Sequence, residues 1–165
     1  KSVGQIELNF PFKPGSHGSQ PKSGPNGSGA TRVIGELYPF GFGLSYTTFA
    51  YSDLEVSPLR QRTQGEYTVK VNVTNTGKRA GDEVVQLYVR DKVSSVITYD
   101  SQLRGFERVS LKPGETRQVT FSLKPEDLQI LDRNMNWTVE PGEFEVMIGA
   151  SSQDIRLKKT ITALP

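Results

Sequence analysis

Apolar and polar residues alternate along most of the chain from Thr47 onward. In one run, Tyr67, Val69, Val71 and Val73 fall on one side and the intervening Thr, Lys and Asn residues on the other. A period of two residues is typical of a strand with one face buried and the other in water. The pattern therefore predicts a strand whose tyrosine and three valines face a core.

The same alternation recurs in later segments. Their predicted inward rows are Val85, Leu87 and Val89; Val119, Phe121 and Leu123; Phe144, Val146 and Ile148; and Ile155, Leu157 and Ile161. Gln86, Tyr88 and Arg90 are predicted to face outward. Seven or eight such short strands, with no helix of any length between them, indicate an all-β fold. We predict an antiparallel β-sandwich of the immunoglobulin/fibronectin III type with Greek-key connections.

Turn residues separate the predicted strands. Residues 75–82 contain Gly77 and Gly81, which adopt positive φ at little cost, and are predicted to form a hairpin turn. Pro113 and Gly114 suit the central positions of a type II turn. Residues 125–128 (PEDL) indicate one helical turn that begins at a proline. A short hairpin is expected around residues 132–136, between Ile130 and Trp137.

Residues 1–45 differ in composition from the rest. They contain nine of the 16 glycines and five of the 10 prolines, and the stretch PFKPGSHGSQPKSGPNGSGA predicts a long irregular loop. We predict a boundary here, with 1–45 as an extension and 46–165 as the sandwich. The apolar residues of the extension are expected to be exposed and to lack their partners, namely Val3, Ile6, Leu8, Phe10, Phe12 and Val33.

Charge and composition exclude several kinds of partner. The 20 basic and 18 acidic residues give a net charge of +2, so a nucleic-acid surface is not expected. The chain has no cysteine, and no run of about 18 apolar residues that could span a bilayer. The one histidine, His17, has no other metal ligands at suitable spacing. We expect no cofactor and no metal site.

Paired acids are the first candidates for hydrolytic chemistry, which needs two carboxylates. The pairs are Asp82 with Glu83, Glu126 with Asp127, and Glu140 with Glu143. Each lies at a turn, a helix start or a strand entry, where solvated acids are common. We therefore assign no catalytic residue.

Six aromatic residues lie within 14 positions, and two interpretations of them stay open. They are Tyr38, Phe40, Phe42, Tyr46, Phe49 and Tyr51. Aromatic rings could stack on sugars, or they could pack a linker against a domain surface. Gly41 and Gly43 favour the second interpretation, because glycines allow a chain to lie close against a neighbour.

Five motifs occur along the chain in the order typical of a known enzyme family. Residues 38–49 (YPFGFGLSYTTF) resemble the junction between the second and third domains of glycoside hydrolase family 3 enzymes. Residues 72–89 (NVTNTGKRAGDEVVQLYV) resemble the first hairpin of the family's fibronectin III-like domain. LRGFERV, LKPGE and VEPGEFEVMIG follow in the family's order, and SVGQI at 2–6 is similar to the end of the preceding α/β sandwich domain.

The resemblance implies a non-catalytic, stabilising domain of a β-glucosidase-like enzyme that hydrolyses terminal β-glycosidic bonds with retention. The catalytic acids of such enzymes come from the barrel and α/β sandwich domains, which are the expected partners, so this chain alone is expected to be inactive. Saccharides are expected to be bound through those domains, and the location to be periplasmic or secreted. The alternative is a carbohydrate-binding or surface-adhesion module.

The resemblance also implies two sets of site residues. The interdomain linker motif consists of Tyr38, Pro39, Phe40, Gly41, Phe42, Gly43, Leu44, Ser45 and Tyr46. The loop at residues 14–31 is expected to lie at the rim of a sugar pocket, with His17, Gln20 and Asn26 as candidate rim residues.

Overall fold

A computed structural model describes Phe10, Pro11, Lys13 and residues 38–165. Its elements are β1 (Phe49–Ser57), β2 (Arg60–Arg62), β3 (Tyr67–Asn75), β4 (Gly81–Asp91), β5 (Gln102–Leu111), β6 (Thr116–Leu123), α1 (Pro125–Leu128), β7 (Ile130–Leu131), β8 (Trp137–Thr138), β9 (Gly142–Gly149) and β10 (Ile155–Leu164). Seven of the strands have eight residues or more. Apart from Phe10, Pro11, Lys13 and residues 38–45, the predicted extension lies outside the described residues.

The strands form two facing sheets and one small hairpin. One sheet has the order β1-β3-β6, the other has the order β2-β10-β9-β4-β5, and β7 pairs with β8. All pairings are antiparallel except that of β10 with the three-residue β2. The predicted all-β sandwich is confirmed.

The core lies between the sheets and is supplied by the predicted inward rows, except that in the last row Ile155 and Leu157 are only half-buried. Val69, Val71 and Val73 of β3 are fully buried, and so are Val85 of β4 and Ile148 of β9. Intervening residues of β3 and β6 remain exposed or half-buried, as period-two alternation requires. Burial of such side chains stabilises the fold by roughly 1.5–3 kcal/mol each.

Three of the predicted local structures are also present. Gly114 has φ +76°, and Glu115 N–H donates to Lys112 O over 3.0 Å, which fits a type II turn. Residues 125–128 form the single helical turn α1, and β7 and β8 flank the expected hairpin.

The predicted hairpin at residues 75–82 is wrong. β3 and β4 belong to different sheets, so this segment crosses from one layer of the sandwich to the other. Asn75, whose side chain is fully buried, holds the crossing together. Its amide donates to Arg79 O over 2.8 Å and to Leu111 O over 2.9 Å. Its Oδ1 accepts from Thr47 Oγ1 over 2.7 Å and from Gly77 N–H over 3.0 Å.

Candidate functional site

The linker segment, defined as residues 38–46, has no regular strand and runs over the five-stranded sheet. Phe42 N–H donates to Pro39 O over 3.0 Å, and Gly41 between them has φ +78°, as the third position of a type II turn requires. Ser152 N–H donates to Phe40 O over 2.9 Å. The linker segment is therefore bonded to the loop that joins β9 and β10.

Gly41 lies directly on β4. A Cβ atom at this position would be 2.0 Å from Gln86 Oε1, whereas one at Gly43 would meet nothing within 4 Å. Gln86 Nε2 donates to Gly41 O over 2.9 Å and to Ala150 O over 2.7 Å. The predicted close approach is thus confirmed for Gly41, whereas Gly43 makes no such approach to the described residues.

Two side chains on the outer face of β4, which points away from the core, are buried. Gln86 and Tyr88 were predicted to face outward into water, yet they are only 3% and 0% exposed. Tyr88 OH donates to Gln86 Oε1 over 2.5 Å, and burial raises the pKa of Tyr88 to about 12. Of the three residues predicted to face outward, only Arg90 is exposed.

Phe10 supplies part of this cover, so its predicted exposure without a partner is wrong. Its ring stacks on Phe40 with centroids 4.4 Å apart, and it meets the Tyr88 ring edge-on at 5.9 Å. Both geometries are favourable for aromatic pairs. A residue from the predicted extension therefore packs against the sandwich.

An apolar patch remains beside this covered region. Phe42, Leu44, Val84 and Phe106 line a shallow groove of about 310 Å³, and Leu44 is 91% exposed. Tyr38 stacks on Phe42 at 5.3 Å, while Tyr46 projects into solvent. We call Phe42, Leu44, Val84 and Phe106 the linker patch.

The paired acids make local contacts. Asp82 binds Ser110 and Arg108, and these contacts, with Ser110 the larger cause, lower its pKa. The Asp127 carboxylate accepts from Lys124 N–H at the start of α1, and Glu143 pairs with Lys92 Nζ at 3.0 Å. These contacts account for the acids as turn and strand-entry residues.

Glu83 is the exception, because it is half-buried between the sheets. It accepts from Tyr51 OH over 2.7 Å. Burial raises the pKa of Glu83, against the opposing effects of the Tyr51 hydrogen bond and of the Arg156 charge. The folded state therefore holds this proton to a higher pH than the unfolded state does.

This shift predicts a pH dependence of stability. Relative to the Glu83→Gln variant, we expect the wild type to lose free energy of unfolding as the pH rises above the ordinary carboxyl pKa of about 4.3. The stabilising contribution is complete below that value and is lost as pH rises through the folded-state pKa. Urea unfolding from about pH 4 to about pH 8 measures the difference. Glu107→Gln, an exposed glutamate on β5, is the control, and parallel curves for wild type and Glu83→Gln would contradict the prediction.

The structure leaves some of the predicted site residues untested. The candidate rim residues His17, Gln20 and Asn26 lie outside the described residues. Within the described residues, no three His, Cys, Asp or Glu side chains are grouped to hold a metal ion. The helix α1 has four residues, and no described helix is long and apolar enough to cross a membrane.

Comparison with known proteins agrees with the fold. Residues 83–152 match the family model described as a fibronectin type III-like domain. The chain is 45% identical to a protein named β-xylosidase from Formosa agariphila, over 96% of this chain and 21% of that protein. It is 39% identical to a periplasmic β-glucosidase from Salmonella typhimurium, over 94% of this chain and 21% of that protein.

Solved structures give the same result. A β-glucosidase from Thermotoga neapolitana, solved with α-D-glucose, superposes with a TM-score of 0.73 at 38% identity, over 80% of this chain and 18% of that chain. A β-glucosidase from Listeria innocua, solved with glucose, gives 0.73 at 31% identity over the same shares.

The fold and the family match together define a fibronectin type III-like β-sandwich domain. The chain matches the C-terminal part of glycoside hydrolase family 3 proteins of the β-glucosidase type. It spans about a fifth of the length of the curated relatives it matches.

Proposed function

We propose that this chain is a non-catalytic, stabilising domain of a β-glucosidase-type glycoside hydrolase. In this proposal residues 46–165 are the sandwich, and residues 1–45 form the end of a preceding α/β domain and the linker. The whole protein hydrolyses terminal β-glycosidic bonds with retention, in the periplasm or outside the cell. The name of the Salmonella relative supports the location.

The outer face of β4 carries this proposal. Polar Gln86 and aromatic Tyr88 on a solvent-side face are buried because Phe10, Phe40 and Gly41 cover them. The linker patch extends this apolar surface from the linker segment onto Val84 of β4 and Phe106 of β5. A contiguous exposed apolar patch of this kind marks an interaction surface, and the neighbouring domain is the partner that the linker segment brings closest.

The test compares the same substitutions in two contexts. In a longer protein that carries this sequence as its C-terminal region, Leu44→Ser and Phe106→Ser are expected to lower the thermal midpoint by several degrees, because each removes about 1–2 kcal/mol of apolar burial. The value of kcat/KM is expected to stay unchanged. In the 165-residue chain alone, the same variants are expected to change stability by less than about 0.5 kcal/mol.

Val93→Ser is the matched control, since Val93 is 81% exposed and lies outside the linker patch. Equal effects of the patch variants in both contexts would contradict the proposal. So would a loss of kcat/KM at constant thermal midpoint, because the patch would then act in catalysis.

The chain alone is expected to release no nitrophenol from aryl β-glucosides. The role of residues 14–31 at a pocket rim stays a prediction.

A further inference from the structure

A second concave surface lies apart from the linker patch. It is a groove of about 690 Å³ between the loop at residues 92–101 and the β7–β8 hairpin, with Gln102 and Arg104 of β5 along its floor. We call it the hairpin groove. Lys13 also borders it, with Nζ 5.5 Å above the Tyr99 ring.

Specific hydrogen bonds fix the walls of the hairpin groove. Asp132 Oδ1 accepts from both Asn134 N–H and Asn136 N–H over 2.8 Å, which closes the hairpin loop. Arg133 Nη2 donates to Ser95 O over 3.1 Å, and Ser95 N–H donates to Glu140 Oε2 over 2.9 Å. The two walls are thus bonded to each other, as a pre-organised binding site requires.

Trp137 offers an open aromatic surface to the groove. It lies on β8, lines the groove and is 68% exposed. Tyr99, in the loop at residues 92–101, also lines the groove. Lys13 lies over its ring, so that face of Tyr99 is already occupied. Because hydrogen bonds hold this hairpin in place, the exposed indole presents a rigid apolar plane at low cost in conformational entropy.

Arg104 supplies a charged donor group at the floor. Its Nε is buried and has no acceptor among the described residues, while Nη2 contacts Gln102 Oε1. Because Nε itself is covered, the remaining N–H groups of the guanidinium are the ones that a ligand oxygen would meet in the groove, and bonds from a charged donor are strong. Gln129 and Thr98 add further polar groups to the lining.

The charges of the lining disfavour an anion. Asp91, Glu126 and Asp127 give three acids, against the two bases Lys13 and Arg104. An anion would meet this acidic excess, whereas the hydroxyl groups of a sugar both donate and accept. An apolar ring plane beside several polar groups matches a pyranose, which has an apolar face and an equatorial rim of hydroxyls.

We propose that the hairpin groove is a binding site for a neutral oligosaccharide, with one sugar ring stacked on Trp137 and a hydroxyl oxygen accepting from the guanidinium of Arg104. This site does not depend on the stabilising role proposed above. Only the choice of probes rests on that role, because relatives are named β-glucosidase and β-xylosidase.

The chain allows a direct test, because Trp137 is its only tryptophan. Titration of the 165-residue chain with cellotetraose or xylotetraose is expected to produce a saturable change in intrinsic fluorescence. Arg104→Gln is expected to weaken binding about tenfold or more, the size of a lost hydrogen bond to a charged group. Calorimetry is expected to show at least an equal loss for Trp137→Ala.

Phe106→Ala is the control, since Phe106 is an exposed aromatic residue that lies outside the groove, and it is expected to leave affinity unchanged. Thermal unfolding checks that each variant is folded. The absence of a saturable signal up to about 10 mM of either tetrasaccharide would overturn the proposal, because a Kd above that concentration is too weak for a specific site. Binding that Trp137→Ala leaves unaltered would also overturn it. Neither result affects the test of the linker patch, which measures thermal stability in a longer protein.

Discussion

Asn75→Ala is expected to destabilise the 165-residue chain by about 3–4 kcal/mol, because it leaves several buried polar groups without partners. The side chain is fully buried and takes part in four hydrogen bonds. Its loss removes the donor to Leu111 O, which is buried, and the acceptor of Thr47 Oγ1 and Gly77 N–H. Thermal and urea unfolding measure the change, with a drop in the thermal midpoint on the order of 10 °C.

A second variant separates the donated bonds from the accepted ones. Asn75→Asp keeps the size of the side chain and an acceptor oxygen, but places a carboxylate against the carbonyl oxygens of Arg79 and Leu111. We expect a loss at least as large as for Asn75→Ala, because the second carboxylate oxygen would be buried against two carbonyl oxygens with no donor, while only the first keeps its bonds from Thr47 and Gly77. An Asn75→Asp variant as stable as the wild type would show that the two donated bonds do not hold the crossing.

Asn72→Ala is the matched control on the same strand. Asn72 Nδ2 donates to Asp53 Oδ2 over 3.0 Å at the surface, and Asn72 itself is only half-buried. Surface substitutions of this kind usually change stability by about 0.5 kcal/mol or less. A similar loss in both variants would indicate a general effect of asparagine on β3 rather than a specific role for the crossing.

Asn75 also shows which part of the fold the sequence could predict. Period-two alternation identifies the residues of β3, β4, β6 and β9 that face the core, because it depends only on neighbours within a strand. It does not identify the partner strand. Two consecutive strands joined by a Gly-containing turn look alike whether they pair as a hairpin or cross between sheets. The buried side-chain amide of Asn75 decides in favour of the crossing, because it donates to carbonyl oxygens of two different segments.

Burial on the outer face of β4 could not be predicted for a similar reason. Alternation places Gln86 and Tyr88 opposite the core, which in an isolated sheet means water. Their cover comes from Phe10 and Phe40, far away in the chain. Gly41 is the residue whose sequence context indicates this cover, because a glycine within an aromatic run indicates close approach to a neighbour. Gly43 carries the same signal, yet a Cβ atom there would meet none of the described residues within 4 Å.

The hairpin groove depends on even less local information. The sequence indicates only that Trp137 lies beside a hairpin and that Arg104 belongs to the motif LRGFERV. Their side chains line one groove because β5 and the β7–β8 hairpin meet at the same end of the sandwich. The loop at residues 92–101 completes that groove through Ser95. No spacing in the sequence indicates this arrangement, since it follows from the order of strands in the sheets.

Tyr88→Ala is expected to be the other strongly destabilising substitution, at about 3–5 kcal/mol, the usual range for removing a buried aromatic side chain. The side chain is fully buried, and its loss opens a cavity beneath Phe10. It also removes the donor to Gln86 Oε1, although Gln86 keeps its bonds to Gly41 O and Ala150 O. Tyr88→Phe deletes only the hydroxyl and is expected to cost about 1 kcal/mol.

Hydrogen exchange distinguishes release of the linker segment from general loss of stability. Ser152 N–H donates to Phe40 O, so its amide protection reports whether the linker segment stays on the sheet. We expect Tyr88→Ala to lower protection at Ser152 more than at Val71 N–H in the centre of β3. A double-mutant cycle with Phe40→Ala is expected to show coupling, since both rings pack on Phe10. Phe106→Ala, an exposed aromatic residue on the neighbouring strand β5, is expected to change neither stability nor protection. If Tyr88→Ala lowers protection equally at Ser152 and Val71, Tyr88 stabilises the sandwich as a whole and does not hold the linker segment.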